Sequence, residues 1–172
     1  MNRHLLTCAF AAGAIITVSS ASADTHTYVK LTNNFRGTGM ALDVYNGGDK
    51  NNFTQMAPEQ DVSGQYWRID GQDNGHLRLT TMFRGRQMCL DVANGGPRNN
   101  YVQLAPCGNY SGQFWRMTDD RDGVRLTTMF RGAKMCLDVV NGGPDNNDVW
   151  LAKCGNYSGQ IWHLNDTGKP VN

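Results

Sequence analysis

Apolar and polar residues alternate along this chain with the period of a strand, and no stretch carries the three-to-four spacing of an amphipathic helix. Cys89-Leu90-Asp91-Val92 shows the pattern: Leu90 and Val92 fall on one face of an extended segment and Asp91 on the other. The surrounding residues predict four short strands, at 77–83, 88–92, 101–105 and 114–118. Between them lie Arg84-Gly85, the Asn94-Gly95-Gly96-Pro97 cluster and the loop from Gly108 to Gly112, all turn-forming compositions.

This unit is written three times. Residues 31–69, 79–117 and 126–164 align without a gap, and 19 of the 39 aligned positions are identical in all three, which chance cannot produce. The identities include Phe-Arg-Gly (35–37, 83–85, 130–132), Leu-Asp-Val (42–44, 90–92, 137–139), Asn-Gly-Gly (46–48, 94–96, 141–143) and Ser-Gly-Gln-x-Trp (63–67, 111–115, 158–162). Four strands in each of three units, at about 27–72, 73–120 and 121–166, predict one all-β domain of twelve strands with pseudo-threefold symmetry. Propeller blades share this period, but propellers use four or more of them. A closed threefold barrel fits better.

The Gln-x-Trp near the end of each copy (Gln65/Trp67, Gln113/Trp115, Gln160/Trp162) stands at even spacing, each preceded by Leu-Asp-Val. With Cys-Leu-Asp-Val at 89–92 and Val-Gln-Leu-Ala-Pro-Cys at 102–107, these motifs resemble ricin B-type lectin domains over residues 27–165. The resemblance implies a β-trefoil, a six-stranded barrel capped by three hairpins. It also implies a non-enzymatic module that binds glycans or glycoconjugates.

Ahead of the repeats, Arg3, an apolar run from Leu5 to Val18 and Ala21-Ser22-Ala23 read as a secretory signal peptide at 1–23, cut near Ala23. Cys8 opens that run instead of following it, so lipid attachment is not expected. The mature domain, 24–172, is expected outside the cell or in the periplasm. Its charge is balanced: removing Arg3 leaves 15 basic residues against 15 acidic ones, which gives no electrostatic ground for nucleic acid or an anionic membrane.

Four cysteines remain, Cys89 with Cys107 and Cys136 with Cys154, each pair inside one copy at the same spacing. In an exported chain this predicts two local disulfides. The first copy has Ala41 and Glu59 instead and should be the least stable. His26, His76 and His163 are scattered and the cysteines lack close pairs, so no metal and no cofactor is expected. Nucleophile candidates are weak, and carboxylates spread one per copy do not form a hydrolytic pair, so no enzyme is expected. The repeated Trp and Gln are assigned to the core, as are Phe35, Phe83 and Phe130, with Arg36, Arg84 and Arg131 in hairpin turns.

Candidate binding residues follow from the resemblance, which implies that Asp43, Asp91 and Asp138 accept hydrogen bonds from sugar hydroxyls, with Gln55 and Gln103 as second contacts and Trp150 at that position in the third copy. The stacking aromatic of galactose-binding members is replaced by Ala57, Ala105 and Ala152, and an asparagine by Gly64, Gly112 and Gly159. Tyr110, Tyr157, Trp150, Phe53 and Tyr101 are the aromatic candidates to replace it. The competing expectation is a protein-binding trefoil: a toxin or adhesion accessory subunit, serving a partner toxin or enzyme subunit, or a protease inhibitor.

Overall fold

The computed structural model describes residues 26–171, so the expected leader lies outside the described residues. These fold into twelve strands without an α-helix. Lobe 1 holds β1 (Thr27–Asn33), β2 (Met40–Val44), β3 (Thr54–Pro58) and β4 (Trp67–Gly71). Lobe 2 holds β5 (Leu77–Thr81), β6 (Gly85–Val92), β7 (Val102–Pro106) and β8 (Trp115–Asp120). Lobe 3 holds β9 (Gly123–Thr128), β10 (Gly132–Val139), β11 (Val149–Lys153) and β12 (Trp162–Pro170).

The first and last strands of each lobe form the barrel. Antiparallel pairing runs from β1 to β4, β5, β8, β9, β12 and back to β1, so the ring of six closes and leaves no edge. The middle strands form the hairpins β2–β3, β6–β7 and β10–β11. Where the hairpins meet, they are linked in a circle by bonds of 2.8 Å from Met56 N–H to the Asn147 carbonyl, Leu104 N–H to Asn52 and Leu151 N–H to Asn100. Those three asparagines hold φ of 70°, 71° and 77°, a left-handed conformation that Asn tolerates better than most residues. This is the β-trefoil the repeats predict.

Trp67, Trp115 and Trp162 are fully buried. Each indole N–H donates to a carbonyl on its own hairpin, Leu42 and Leu90 at 2.8 Å and Leu137 at 3.0 Å, which ties barrel to cap. The Gln of each Gln-x-Trp ends a short 3-10 turn (Ser63–Gln65, Ser111–Gln113, Ser158–Gln160). Its amide satisfies backbone groups in both directions: the oxygen accepts from the N–H of Gln60, Gly108 or Gly155, and the nitrogen donates to the carbonyl of Pro58, Pro106 or Lys153. Gln65, Gln113 and Gln160 are buried, as the tryptophans are.

Disulfides join Cys89 to Cys107 and Cys136 to Cys154, with Cα atoms 5.0 and 5.1 Å apart. Closing a loop of this length stabilises by about 3 kcal/mol on the chain-entropy account. Lobe 1 keeps the same backbone contact without sulfur, since Glu59 N–H donates to Gly39 as Cys107 does to Gln87 and Cys154 to Lys134, each at 2.9 Å. An ion pair from Lys30 to Glu59 takes the staple's place. β2–β3 forms a two-stranded sheet of its own, while the other hairpins continue from β5 and β9.

Candidate functional site

Each Leu-Asp-Val strand packs its apolar residues inward and leaves its Asp half-buried at the surface. Beside that Asp lies an open hollow, repeated in all three lobes. Lobe 2 has about 380 Å³, bordered by Asp91, Asn94, Asn109, Tyr110, Ser111 and Phe130. Lobe 3 has about 320 Å³, bordered by Asp138, Asn141, Asn156, Tyr157, Ser158 and Phe35. Lobe 1 has about 240 Å³, bordered by Asp43, Asn46, Gln60, Val62, Ser63 and Phe83.

The carboxylates are held, not free. Oδ1 of Asp43, Asp91 and Asp138 accepts from the N–H of the following valine at 2.7, 2.7 and 2.8 Å. Oδ2 accepts from the amide of Gln65, Gln113 or Gln160 at 3.2, 3.0 and 2.9 Å. A carboxylate offers about four acceptor positions, so each keeps about two for a ligand while its orientation is fixed. The Gln of Gln-x-Trp therefore reaches the site as well as the core, a link the sequence does not display.

Glycine makes this arrangement possible. A Cβ on Gly64, Gly112 or Gly159 would stand 2.1, 2.2 or 2.3 Å from Oδ1 of the neighbouring Asp, an impossible approach. The asparagine implied by the resemblance has no room here while the Asp holds this position. Tyr110 and Tyr157 use glycine similarly, their rings lying so close over Gly108 and Gly155 that a Cβ there would come within 2.4 Å. Each ring is backed by its own loop and still 62% or 60% exposed. The first lobe has Gln60 and Val62 at these places.

Phe35, Phe83 and Phe130, expected in the core, are only partly buried. They touch the core but also border the hollow of the preceding lobe, Phe130 that of lobe 2, Phe35 that of lobe 3 and Phe83 that of lobe 1. The following arginine stacks on each ring at 4.0–4.1 Å. Its guanidinium then donates across the lobe boundary at 2.8 Å, from Arg36 to Asn146, Arg84 to Asn51 and Arg131 to Asn99. Invariance of Phe-Arg-Gly was the available signal; its spacing suits core packing equally well.

The register sets Gln55 opposite Asp43, Gln103 opposite Asp91 and Trp150 opposite Asp138, so each lies beside its Asp on the hairpin. Trp150 also packs against Tyr101, ring centres 6.0 Å apart. Phe53 and Tyr101 border none of the three hollows. Both lie under the Arg98 guanidinium, and Tyr101 Oη donates to Asp145 at 3.1 Å.

They belong to a polar cluster at the meeting point of the hairpins. Asp148, fully buried, accepts from Lys50 Nζ at 2.7 Å, Tyr45 Oη at 2.8 Å and Arg98 at 2.9 Å. Burial, then the hydrogen bond to Asp148, pushes the Tyr45 phenol up to about 12. The hydrogen bond from Lys50 lowers the Asp145 carboxyl below its ordinary value, against opposing burial. Two cations balance two anions, so the cluster is a structural lock.

The family described as the ricin-type beta-trefoil lectin domain matches residues 27–162. No curated protein matches the chain. Among solved structures, the designed threefold-symmetric protein ThreeFoil is 26% identical with a TM-score of 0.67, the match covering 81% of this chain and 98% of that one. The Rhizoctonia solani agglutinin is 17% identical with a TM-score of 0.63, covering 87% and 99%. An exo-beta-1,3-galactanase from Clostridium thermocellum is 23% identical with a TM-score of 0.66, covering 87% of this chain but 32% of that one. The last two likenesses show the fold alone.

Proposed function

Because the chain belongs to the ricin-type β-trefoil lectin domain family, we propose that it is an exported carbohydrate-binding module whose ligand contacts are the Asp-centred hollows. The observation that carries this is the fixed carboxylate. Asp91 and Asp138 each keep unused acceptor positions beside exposed Asn and Tyr groups and a Ser. Adjacent hydroxyls of a pyranose can donate to one carboxylate together, and such charge-assisted bonds are roughly twice as strong as neutral ones. Aromatic rings at the rim suit the apolar face of the sugar. Several weak sites on one chain gain by avidity on a glycan-coated surface.

A glycan array probed with the mature domain tests this, alone and in competition with free sugar. Sugar-inhibited binding, lost in the folded double variant Asp91→Ala/Asp138→Ala, is the expected result. Undiminished binding by that variant removes these aspartates from the function. Capture of a protein partner, insensitive to any sugar, supports the accessory-subunit role instead.

A further inference from the structure

The carbohydrate reading does not say how many hollows work or which residues complete them. We infer that each working site is shared between two lobes, with one aromatic ring from its own loop and one from the next lobe, and that the chain is therefore divalent. Lobes 2 and 3 carry the working sites. Lobe 1 carries none. This rests on the hollows being sugar sites.

Lobe 2 has Tyr110 from its own loop and Phe130 from lobe 3; lobe 3 has Tyr157 and, across the closure of the chain on itself, Phe35 from lobe 1. Both outside rings are fixed at the boundary. The Phe130 N–H donates to the Ser111 carbonyl at 3.2 Å in the wall of the lobe 2 hollow. The guanidiniums of Arg131 and Arg36 cover their rings at 4.0 and 4.1 Å and are anchored on Asn99 and Asn146. The same asparagines accept the N–H of Gly95 and Gly142, the middle residues of the Asn-Gly-Gly turns at the hollows. Ring, turn and carboxylate are thus one connected assembly spanning two lobes, and a ligand that fills it contacts both.

Lobe 1 has the neighbour's ring, Phe83, but only Val62 on its own loop, and its hollow is the smallest of the three. It also has Gln60 where Gly108 and Gly155 lie beneath the tyrosine rings. A tyrosine placed at 62 alone would lack the glycine it rests on. Both positions must change to complete the site.

The test is a two-dimensional amide NMR titration of the mature domain with free galactose, glucose, mannose, N-acetylgalactosamine and N-acetylglucosamine in turn. Shifts are expected around Asp91, Tyr110 and Phe130 and around Asp138, Tyr157 and Phe35, with none around Asp43, Val62 and Phe83. Phe130→Ala should weaken the lobe 2 site about tenfold, a change of about 1.4 kcal/mol, and leave lobe 3 unchanged. If that variant does not fold, Tyr110→Val, at an exposed ring, should cause the same selective loss. Gln60→Gly/Val62→Tyr should create a third site. Equal shifts in all three hollows, or a lobe 2 affinity indifferent to both Phe130 and Tyr110, overturn the shared-site inference while leaving a lectin. Absence of shifts with every sugar, with a blank glycan array, overturns the carbohydrate reading and this inference together.

Discussion

Lobe 1 and its two partners share one backbone plan but are held by different forces. In lobes 2 and 3 a disulfide clasps each hairpin, and that constraint contributes about 3 kcal/mol. In lobe 1 the same place holds the Lys30–Glu59 ion pair, whose glutamate side chain is 44% exposed. Exposed pairs contribute about 0.2–1 kcal/mol, so this one does not replace a disulfide. What lobe 1 has in return is at the centre: Tyr45 and Lys50 reach Asp148 of lobe 3. The matching residues in lobe 2 are Ala93 and Arg98, and in lobe 3 Val140 and Asp145. Arg98 of lobe 2 reaches Asp148 as well, so lobes 2 and 3 have both a disulfide and the central cluster, and lobe 1 has the cluster without a disulfide.

Asp148 is where the comparison breaks most easily. Asp148→Ala leaves Lys50 and Arg98 without the buried carboxylate, and loss of one partner from such a pair costs about 3–5 kcal/mol. Urea unfolding monitored by tryptophan fluorescence should show a loss of that size. Amide exchange should rise most in β2–β3, which lack a disulfide. A change below about 1 kcal/mol would mean that the ion pairs only offset their own desolvation.

Next in size is the disulfide. Cys89→Ala/Cys107→Ala should cost about 3 kcal/mol and make β6–β7 exchange as fast as β2–β3. Conversely, Ala41→Cys/Glu59→Cys should add up to about 3 kcal/mol under oxidising conditions, less any strain. If β2–β3 already exchange as slowly as their counterparts in the unaltered protein, the ranking of lobes is wrong.

Repetition explains why the fold was legible and the central cluster was not. Trp67, Trp115 and Trp162 recur because each barrel segment needs the same large core residue, so comparing the copies finds them. Strand boundaries followed from the turns, and the predicted 88–92 strand is the second half of Gly85–Val92. Asp91 was found because alternation puts it on the polar face. Phe130 packs against the core as expected, but its second surface, the hollow of lobe 2, stays hidden because a repeat pattern does not say which copy a side chain serves. The cluster uses Lys50, Arg98 and Asp145, one aligned position with three different residues. A comparison that looks for sameness discards such a position, although unlike charges are what let it close on itself.

The smallest effect is alkaline. Tyr45 holds its proton more tightly folded, at about 12, than unfolded, near its ordinary value of about 10. The Lys50 pKa is also raised, burial opposing the charge but the hydrogen bonds to Asp148 and Asp145 outweighing it. Raised values of this kind give stability that is fully present below the unfolded pKa and lost as pH rises through the folded one. The window for Tyr45 is thus about pH 10 to 12. Two pH units correspond to about 2.7 kcal/mol at most, and solvent screening of this partly exposed ring reduces that to about 1 kcal/mol. Tyr45→Phe should lower stability at neutral pH and flatten the alkaline decline, while Tyr101→Phe should flatten it less, because Tyr101 donates to the less buried Asp145. Equal flattening by the two would place the alkaline weakness at the centre as a whole and no longer in the anchorage of lobe 1.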